Sequence, residues 1–293
     1  MKSVQSNTHA RKLDAMSVRV LCVGDVVGRP GRQLLAEHLG KLTSEHGLDC
    51  IIVNAENMAG GSGLTPQSHE KLKRYGAHLV TLGDHAYRRR EVLDLLSDRD
   101  DVVRPANFPP AAIGRDYAIY ETDGGVRIAV MALLGRMFIK PMVDCPYKAA
   151  DRTLNRIPRE VDLIFVDMHA EATSEKIAMG WHLNGRVACV FGTHTHVQTA
   201  DEQILSGGTA YISDLGMTGP HDSVLGRRKD NVLKALMTGM NYPFDVATGD
   251  PRLHGIVVTA DPQTGRATAI ERIAVKGEMV DNLKSRAVPG RND

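Results

Sequence analysis

The sequence predicts an α/β protein with mixed sheet, on three observations. Short, nearly unbroken apolar runs recur along the chain, helix-length segments separate them, and one central pair of runs is joined by a tight polar turn. Fully apolar strands need both faces covered, as a parallel sheet between helices provides. The tight turn calls for an antiparallel hairpin, so the sheet is expected to be mixed.

Val18–Val23 (VRVLCV) is the first strand; it ends at Gly24-Asp25 and a helix follows over 31–46. The second strand, within 50–57 (CIIVNAEN), precedes a helix that opens at Thr65-Pro66 and closes at Tyr75, with Pro66 suited to a first turn. A third run, 78–85 (HLVTLGDH), precedes a helix over 89–96. The hairpin pairs 116–121 with 126–133 across Thr122-Asp123-Gly124-Gly125. Next, 161–168 leads into His169, a helix covers 174–179, and 187–192 leads into Thr193-His194-Thr195-His196. Late strands are expected at 209–213, 255–259 and 267–274. The segments 137–160 and 214–252 are rich in Gly, Pro and charge and read as excursions flanking a cleft. The expected organisation is a flexible N-terminal extension over 1–17, a single domain over 18–275 and a C-terminal tail over 276–293.

With 293 residues, 36 Lys+Arg against 35 Asp+Glu and 42% hydrophobic residues, the chain has the balance of an ordinary globular protein. A disordered chain and a strongly basic nucleic-acid coat are excluded. Aromatic residues make up only 4%, too few for a stacking platform, so no stable nucleic-acid complex is expected. Cys22, Cys50, Cys145 and Cys189 form no C-x-x-C pair and read as free thiols of a cytoplasmic protein. No apolar stretch reaches the roughly 18 residues a membrane span needs, and the first 16 residues are polar.

Five apolar runs end in side chains able to hold a metal: Asp25, Glu56-Asn57, Asp84-His85, His169, and His194 with His196. Ligands of open α/β sheets collect beyond the carboxyl ends of the strands, so these residues are expected to converge. Oxygen donors mixed with imidazoles suit intermediate divalent ions, and seven or eight donors exceed what one tetrahedral ion uses. Two ions sharing a carboxylate would employ them all. The pieces differ in weight. A Gly-Asp turn is commonplace, and Glu56-Asn57 can share a site only where the chain bends. His194-x-His196 is the most telling, since a period of two sets both imidazoles on one face of a strand end. His38, His46, His69, His182, His221 and His254 lack such placement and read as solvated or structural. Arg88-Arg89-Arg90 reads as a solvated face; Glu171 and Glu175 read as helix-start acids that could also brace a ligand. Gly24-x-x-x-Gly28-x-x-Gly31 lacks dinucleotide-binding spacing and no P-loop occurs.

That order of residues resembles the calcineurin-like metallophosphoesterases, and more closely the bacterial YmdB-type dimetal phosphodiesterases. The similarity runs through GDVVGRPGR (24–32), NAEN (54–57), RPANFP (104–109), DMHAEATSEKIAMGW (167–181), GTHTHVQTAD (192–201) and YISDLGMTGP (211–220). The resemblance implies a four-layer α/β/β/α sandwich with mixed sheets and two divalent ions, Fe, Mn or Zn. It places Asp25, Glu56, Asn57 and His196 on one ion and Glu56, Asp84, His169 and His194 on the other, with His85 over the leaving group. The family pattern has Asn where this chain has Asp84, which adds a negative charge and is expected to alter metal preference.

The implied activity is hydrolysis of small phosphodiesters, cyclic nucleotides (2′,3′ or 3′,5′) above all, by a hydroxide bridging the ions. Two other readings stay open: a phosphomonoesterase on the same site, and a non-catalytic metal- or nucleotide-binding regulator. A small phosphodiester or nucleotide is the expected partner, and a homo-oligomer is left open.

Overall fold

The computed structural model describes residues 17–278. The expected N-terminal extension and C-terminal tail lie, apart from Ser17 and residues 276–278, outside the described residues. In chain order the elements are β1 (Val18–Val23), α1 (Gly28–His46), β2 (Cys50–Asn54), α2 (Pro66–Tyr75), β3 (Leu79–Thr81), α3 (Val92–Asp98), β4 (Val102–Val103), β5 (Tyr117–Glu121) and β6 (Arg127–Leu134). They continue with α4 (Pro146–Leu154), β7 (Leu163–His169), α5 (Thr173–His182), β8 (Cys189–Thr193), β9 (Gln203–Ile204), β10 (Ala210–Ile212), β11 (Gly219–Pro220), α6 (Lys229–Thr238), β12 (Pro251–Asp261) and β13 (Arg266–Lys276).

The strands form two mixed sheets. One runs β11-β12-β1-β2-β3-β4 with β13 also paired to β12; the other runs β5-β6-β7-β8-β10-β9. β1 to β4 are mutually parallel, as are β6, β7, β8 and β10, while β12 runs antiparallel to β1 and β5 to β6. Alternation along each strand assigns its two faces. Val20 and Cys22 of β1 pack with Ile52, Phe165, Phe191 and Ile212 between the sheets. Leu21 and Val23 instead pack with Leu34, Leu39 and Leu72 of the helices outside. On the far side Met131, Val166 and Val190 meet Ala149 of α4 and Met179 of α5. The result is four layers, α/β/β/α.

Residue patterning alone pointed to one sheet covered by helices on both faces; instead, each sheet has helices on one face and the other sheet on its second. An all-apolar strand reports that both faces are covered, not by what. The helix expected over 89–96 begins only at Val92; ahead of it the Arg89 guanidinium donates to the carbonyls of Ala59 (3.0 Å) and Ser62 (3.1 Å). So the arginine run is not simply a solvated face: Arg89 clamps the glycine-rich turn after β2. The two excursions contain α4 and α6; Pro146 at the start of α4 was a readable signal, whereas α6 buries only Val232 and offered little pattern. Cys22, Cys50 and Cys189 are buried free thiols, and burial pushes all three up from the usual thiol range. Among the described residues no helix is long and apolar enough to cross a membrane.

One polar clip ties α2 to the start of β4. Asp101 lies 3.1 Å from His69 Nε2 and 2.9 Å from Lys73 Nζ. Burial alone would raise the Asp101 carboxyl, but the hydrogen bonds and charges of His69 and Lys73 outweigh it and hold the group well below the ordinary carboxylate range. A depressed folded-state value adds stability that is present above the unfolded value of about 3.9 and is lost as pH falls towards the folded one. Urea midpoints are therefore expected to fall from about pH 5 downwards, and Asp101→Asn to flatten that acid limb. Equal slopes in the two proteins would contradict the assignment.

Candidate metal centre

Five strand ends supply the site, and local backbone demands explain how each delivers its side chain. After β1, Gly24 donates to the carbonyl of His254 (3.0 Å), and a Cβ there would sit 1.9 Å from the Gly216 carbonyl oxygen, so only glycine fits. Asp25 follows, fully buried; its Oδ2 accepts from the backbone N–H of His194 (3.1 Å), while Oδ1 has no hydrogen-bond partner among the described residues. Burial pushes this carboxyl up despite the opposing charge of His169.

β2 stops at Asn54, whose Oδ1 receives the N–H of Glu56 (3.2 Å), and the chain turns so that Glu56 and Asn57 face the same crevice. The two oxygens of Glu56 look in different directions. Oε1 takes Asn57 Nδ2 (2.8 Å) and lies 3.2 Å from His85 Nδ1; Oε2 takes the N–H of His85 (3.2 Å) and lies 3.3 Å from His169 Nε2. After β3 comes Gly83, where a Cβ would meet both Glu56 Oε2 and His169 Nε2 at 2.3 Å. That absent side chain leaves room for the cluster, and Asp84 places Oδ1 3.1 Å from His169 Nε2 and 3.6 Å from His194 Nδ1. Against burial, hydrogen bonds to His169 and His194 hold the Asp84 carboxyl far below its ordinary range. For His85 the hydrogen bond to Glu56 prevails over burial and raises the imidazole.

His169 closes β7 with no exposure at all. Burial opposes its charge, yet Glu56, Asp84 and Asp25 outweigh that and lift it to about 10. β8 ends at Thr193, so His194 and His196 do not lie on a strand with a period of two, contrary to expectation. Both adopt left-handed backbone, φ 97° and 64°, and reach the crevice through an irregular arch. Non-glycine residues held there are strained by about 1–3 kcal/mol each, a cost typical of functional positions. The arch is held by Asp214, whose Oδ2 accepts from Thr195 N–H (3.1 Å), Thr195 Oγ1 (2.7 Å) and the buried Lys176 Nζ (2.6 Å). His196 places Nδ1 3.2 Å from the Leu225 carbonyl and Nε2 3.2 Å from Asn57 Nδ2, and burial lowers it to about 4.

Ligand atoms of Glu56, Asp84, His169 and His194 all lie within 4.8 Å of one another. Asp25, Asn57 and His196 gather on the other flank of Glu56: His196 Nε2 is 3.9 Å from Asp25 Oδ1. The structure thus draws Asp25, Glu56, Asn57, Asp84, His85, His169, His194 and His196 together. A divalent cation fits the set: carboxylates and imidazoles crowd together, and Asp25 Oδ1 is buried without a donor. Asn57 turns its amide nitrogen, not its oxygen, towards Glu56 and His196, so a ligand role for the oxygen calls for the amide reversed.

Of the two acids after His169, Glu171 reaches His194 Nε2 (3.3 Å). Glu175 does not; it accepts the N–H groups of Arg136 (2.9 Å) and Met137 (3.2 Å) and so fixes the loop after β6. His69 and His182 contact Asp101 and Asp151, while the rings of His221 and His254 lie 4.6 Å apart, so these four are structural. Sequence reasoning missed Asp167, Thr193, Lys176 and Asp214. Asp167 carried a signal, a lone acid inside the apolar run of β7; burial pushes it up, with His169 and three hydrogen-bond donors opposing.

The family model for YmdB-like proteins matches residues 21–273. The chain belongs to the YmdB-like family. A Bacillus subtilis protein named 2′,3′-cyclic-nucleotide 2′-phosphodiesterase is 43% identical over 261 residues, covering 89% of this chain and 98% of that one. A Mycoplasma pneumoniae protein named putative phosphatase/phosphodiesterase is 33% identical over 265 residues, 88% of this chain and 93% of its own. Among solved structures, a hypothetical protein from Thermus thermophilus superposes with TM-score 0.83 at 38% identity, over 89% of this chain and all of that one (100%). A structure described as a novel phosphatase from Mycoplasma pneumoniae gives 0.84 at 33%, over 89% and 94%. This YmdB-like chain therefore shares its two-sheet architecture with solved proteins along nearly their whole length.

Proposed function

We propose that the protein is a metal-dependent phosphodiesterase that hydrolyses small phosphodiesters, cyclic nucleotides foremost, with two divalent ions drawn from Fe, Mn and Zn. The observation that carries this reading is the splayed carboxylate of Glu56, with one oxygen facing Asn57 and the other facing His169. Asp25, Glu56, Asn57 and His196 would hold one ion; Glu56, Asp84, His169 and His194 the other. When bound, such ions acidify water and neutralise charge on phosphoryl oxygens.

The remaining work falls to the chain itself. Glu171 steadies His194, and the Leu225 carbonyl fixes the ring of His196 through Nδ1. His85 is anchored through Nδ1 to Glu56 and Asn57 while about a third of its side chain stays open to solvent (34%). It is thereby placed to donate a proton or hydrogen bond to a departing alkoxide. The name of the Bacillus subtilis relative favours 2′,3′-cyclic nucleotides within the diester class.

The test compares 2′,3′-cyclic AMP, 3′,5′-cyclic AMP and a matched pair of chromogenic monoester and diester, using protein stripped of metal and reloaded with Mn, Fe or Zn. Diester cleavage is expected to exceed monoester cleavage, to require metal, and to vanish in His196→Ala. Faster monoester turnover would transfer the site to a phosphomonoesterase. Tight metal binding without any turnover would make the protein a binding module.

A further inference from the structure

Asp167 and His169 stand two residues apart on β7, and Thr193 of β8 pairs directly opposite His169. Asp167 is fully buried. Its Oδ2 accepts from Thr81 Oγ1 (2.5 Å) and Asn54 Nδ2 (3.0 Å), both from the first sheet; its Oδ1 accepts from Thr193 Oγ1 (2.6 Å) in the second. One carboxylate thus joins both sheets beneath the site, and its ionised form satisfies all three donors.

The consequence reaches His169 through the hydroxyl of Thr193. A threonine hydroxyl has one proton and two lone pairs. With its proton directed to Asp167, the oxygen can only accept from its other neighbours, Asn54 Nδ2 at 3.4 Å and His169 Nδ1 at 2.8 Å. His169 must then carry its proton on Nδ1. In the neutral ring that binding a cation requires, the lone pair is then on Nε2, which faces Asp84 Oδ1 (3.1 Å), Glu56 Oε2 (3.3 Å) and His194 Nδ1 (3.0 Å).

We propose that Asp167 is a positioning residue which, through Thr193, sets the tautomer of His169 and so presents Nε2 as the atom offered to a cation. The inference rests on the metal-site reading above but concerns binding, not turnover. Partners that fix the tautomer of a ligating histidine typically change metal affinity by about 10–100-fold when removed.

The probe is Mn²⁺ added to metal-stripped protein and followed by calorimetry, alongside the melting temperature of the metal-free form. Thr193→Val keeps the shape and removes the relay; it is expected to weaken Mn²⁺ binding by about 10–100-fold. Thr193→Ser restores the hydroxyl and should restore affinity. Asp167→Asn turns an amide N–H towards Thr193, reverses the relay and should resemble Thr193→Val. Native affinity in Thr193→Val, or equal losses in the Ser and Val variants, would overturn the proposal, as would a change confined to melting temperature.

If Thr193→Val does not fold, the serine variant and ¹⁵N-histidine spectra of the native protein loaded with Zn²⁺ still decide. The His169 proton must appear on Nδ1, and a proton on Nε2 would overturn the assignment. Should affinities follow the prediction while no phosphodiester is cleaved, the relay stands and the catalytic reading falls.

Discussion

Glu56→Gln is expected to lower phosphodiester turnover by about 10³-fold or more and to reduce the metal bound per chain. The amide keeps the size of the side chain but removes the charge that the two proposed donor sets would share, the two carboxylate oxygens facing Asn57 and His169 separately. Charge stabilisation by bound cations is worth several kcal/mol, and about 4 kcal/mol off the transition state is roughly a thousandfold in rate. The same change should lower the stability of the metal-free protein. Burial and Asp84 oppose the Glu56 charge, but the imidazoles of His169 and His85 outweigh them and hold the carboxyl below its ordinary range, and a neutral side chain forfeits that attraction. Metal analysis, turnover and thermal melting of one preparation check all three outcomes. A variant that keeps native turnover with a full metal complement would remove Glu56 from the centre of the site.

Lys176→Met is expected to be among the most destabilising single changes in the chain. Lys176 Nζ and Asp214 Oδ2 lie 2.6 Å apart with both side chains 1% exposed. Removing one member of such a pair strands the other's charge in the interior, at about 3–5 kcal/mol. For a chain of this size that corresponds to a fall in melting temperature of about 10 °C. Asp214 also receives Thr195 N–H and Oγ1, so the carboxylate left without its cation is the one that anchors the arch bearing His194 and His196. The double variant Lys176→Met/Asp214→Leu separates the two effects: removing the stranded charge should recover part of the stability, while Thr195 and Gly216, whose groups donate to Asp214, are left without their acceptor. It should not recover turnover. Full activity in the double variant would show that the arch holds itself without Asp214.

Much of this is legible in the sequence alone. The strand ends at Asp25, Glu56, Asp84, His169 and His194 announced themselves because each follows an apolar run, and strand ends on one side of a sheet must meet. α2 could be read to the residue from Thr65-Pro66, since a capping hydroxyl and a proline at the first turn are local chemistry. The stacking of two sheets was not readable from the strands themselves, because Val20 and Leu21 look alike in sequence while facing another sheet and a helix respectively. The backbone at His194 and His196 was misread for a similar reason. A period of two describes a strand, and nothing in the letters H-T-H says that the strand has already ended at Thr193. Lys176 and Asp214 pair across 38 positions, and no spacing rule joins them.

Chance substitution at 194 or 196 meets two opposed pressures. Glycine would relax the left-handed backbone at either position, and it would also withdraw an imidazole from the crevice. A lineage no longer selected for chemistry should drift to glycine or asparagine there before its core changes. These two positions thus offer a marker for separating working members of the family from retired ones.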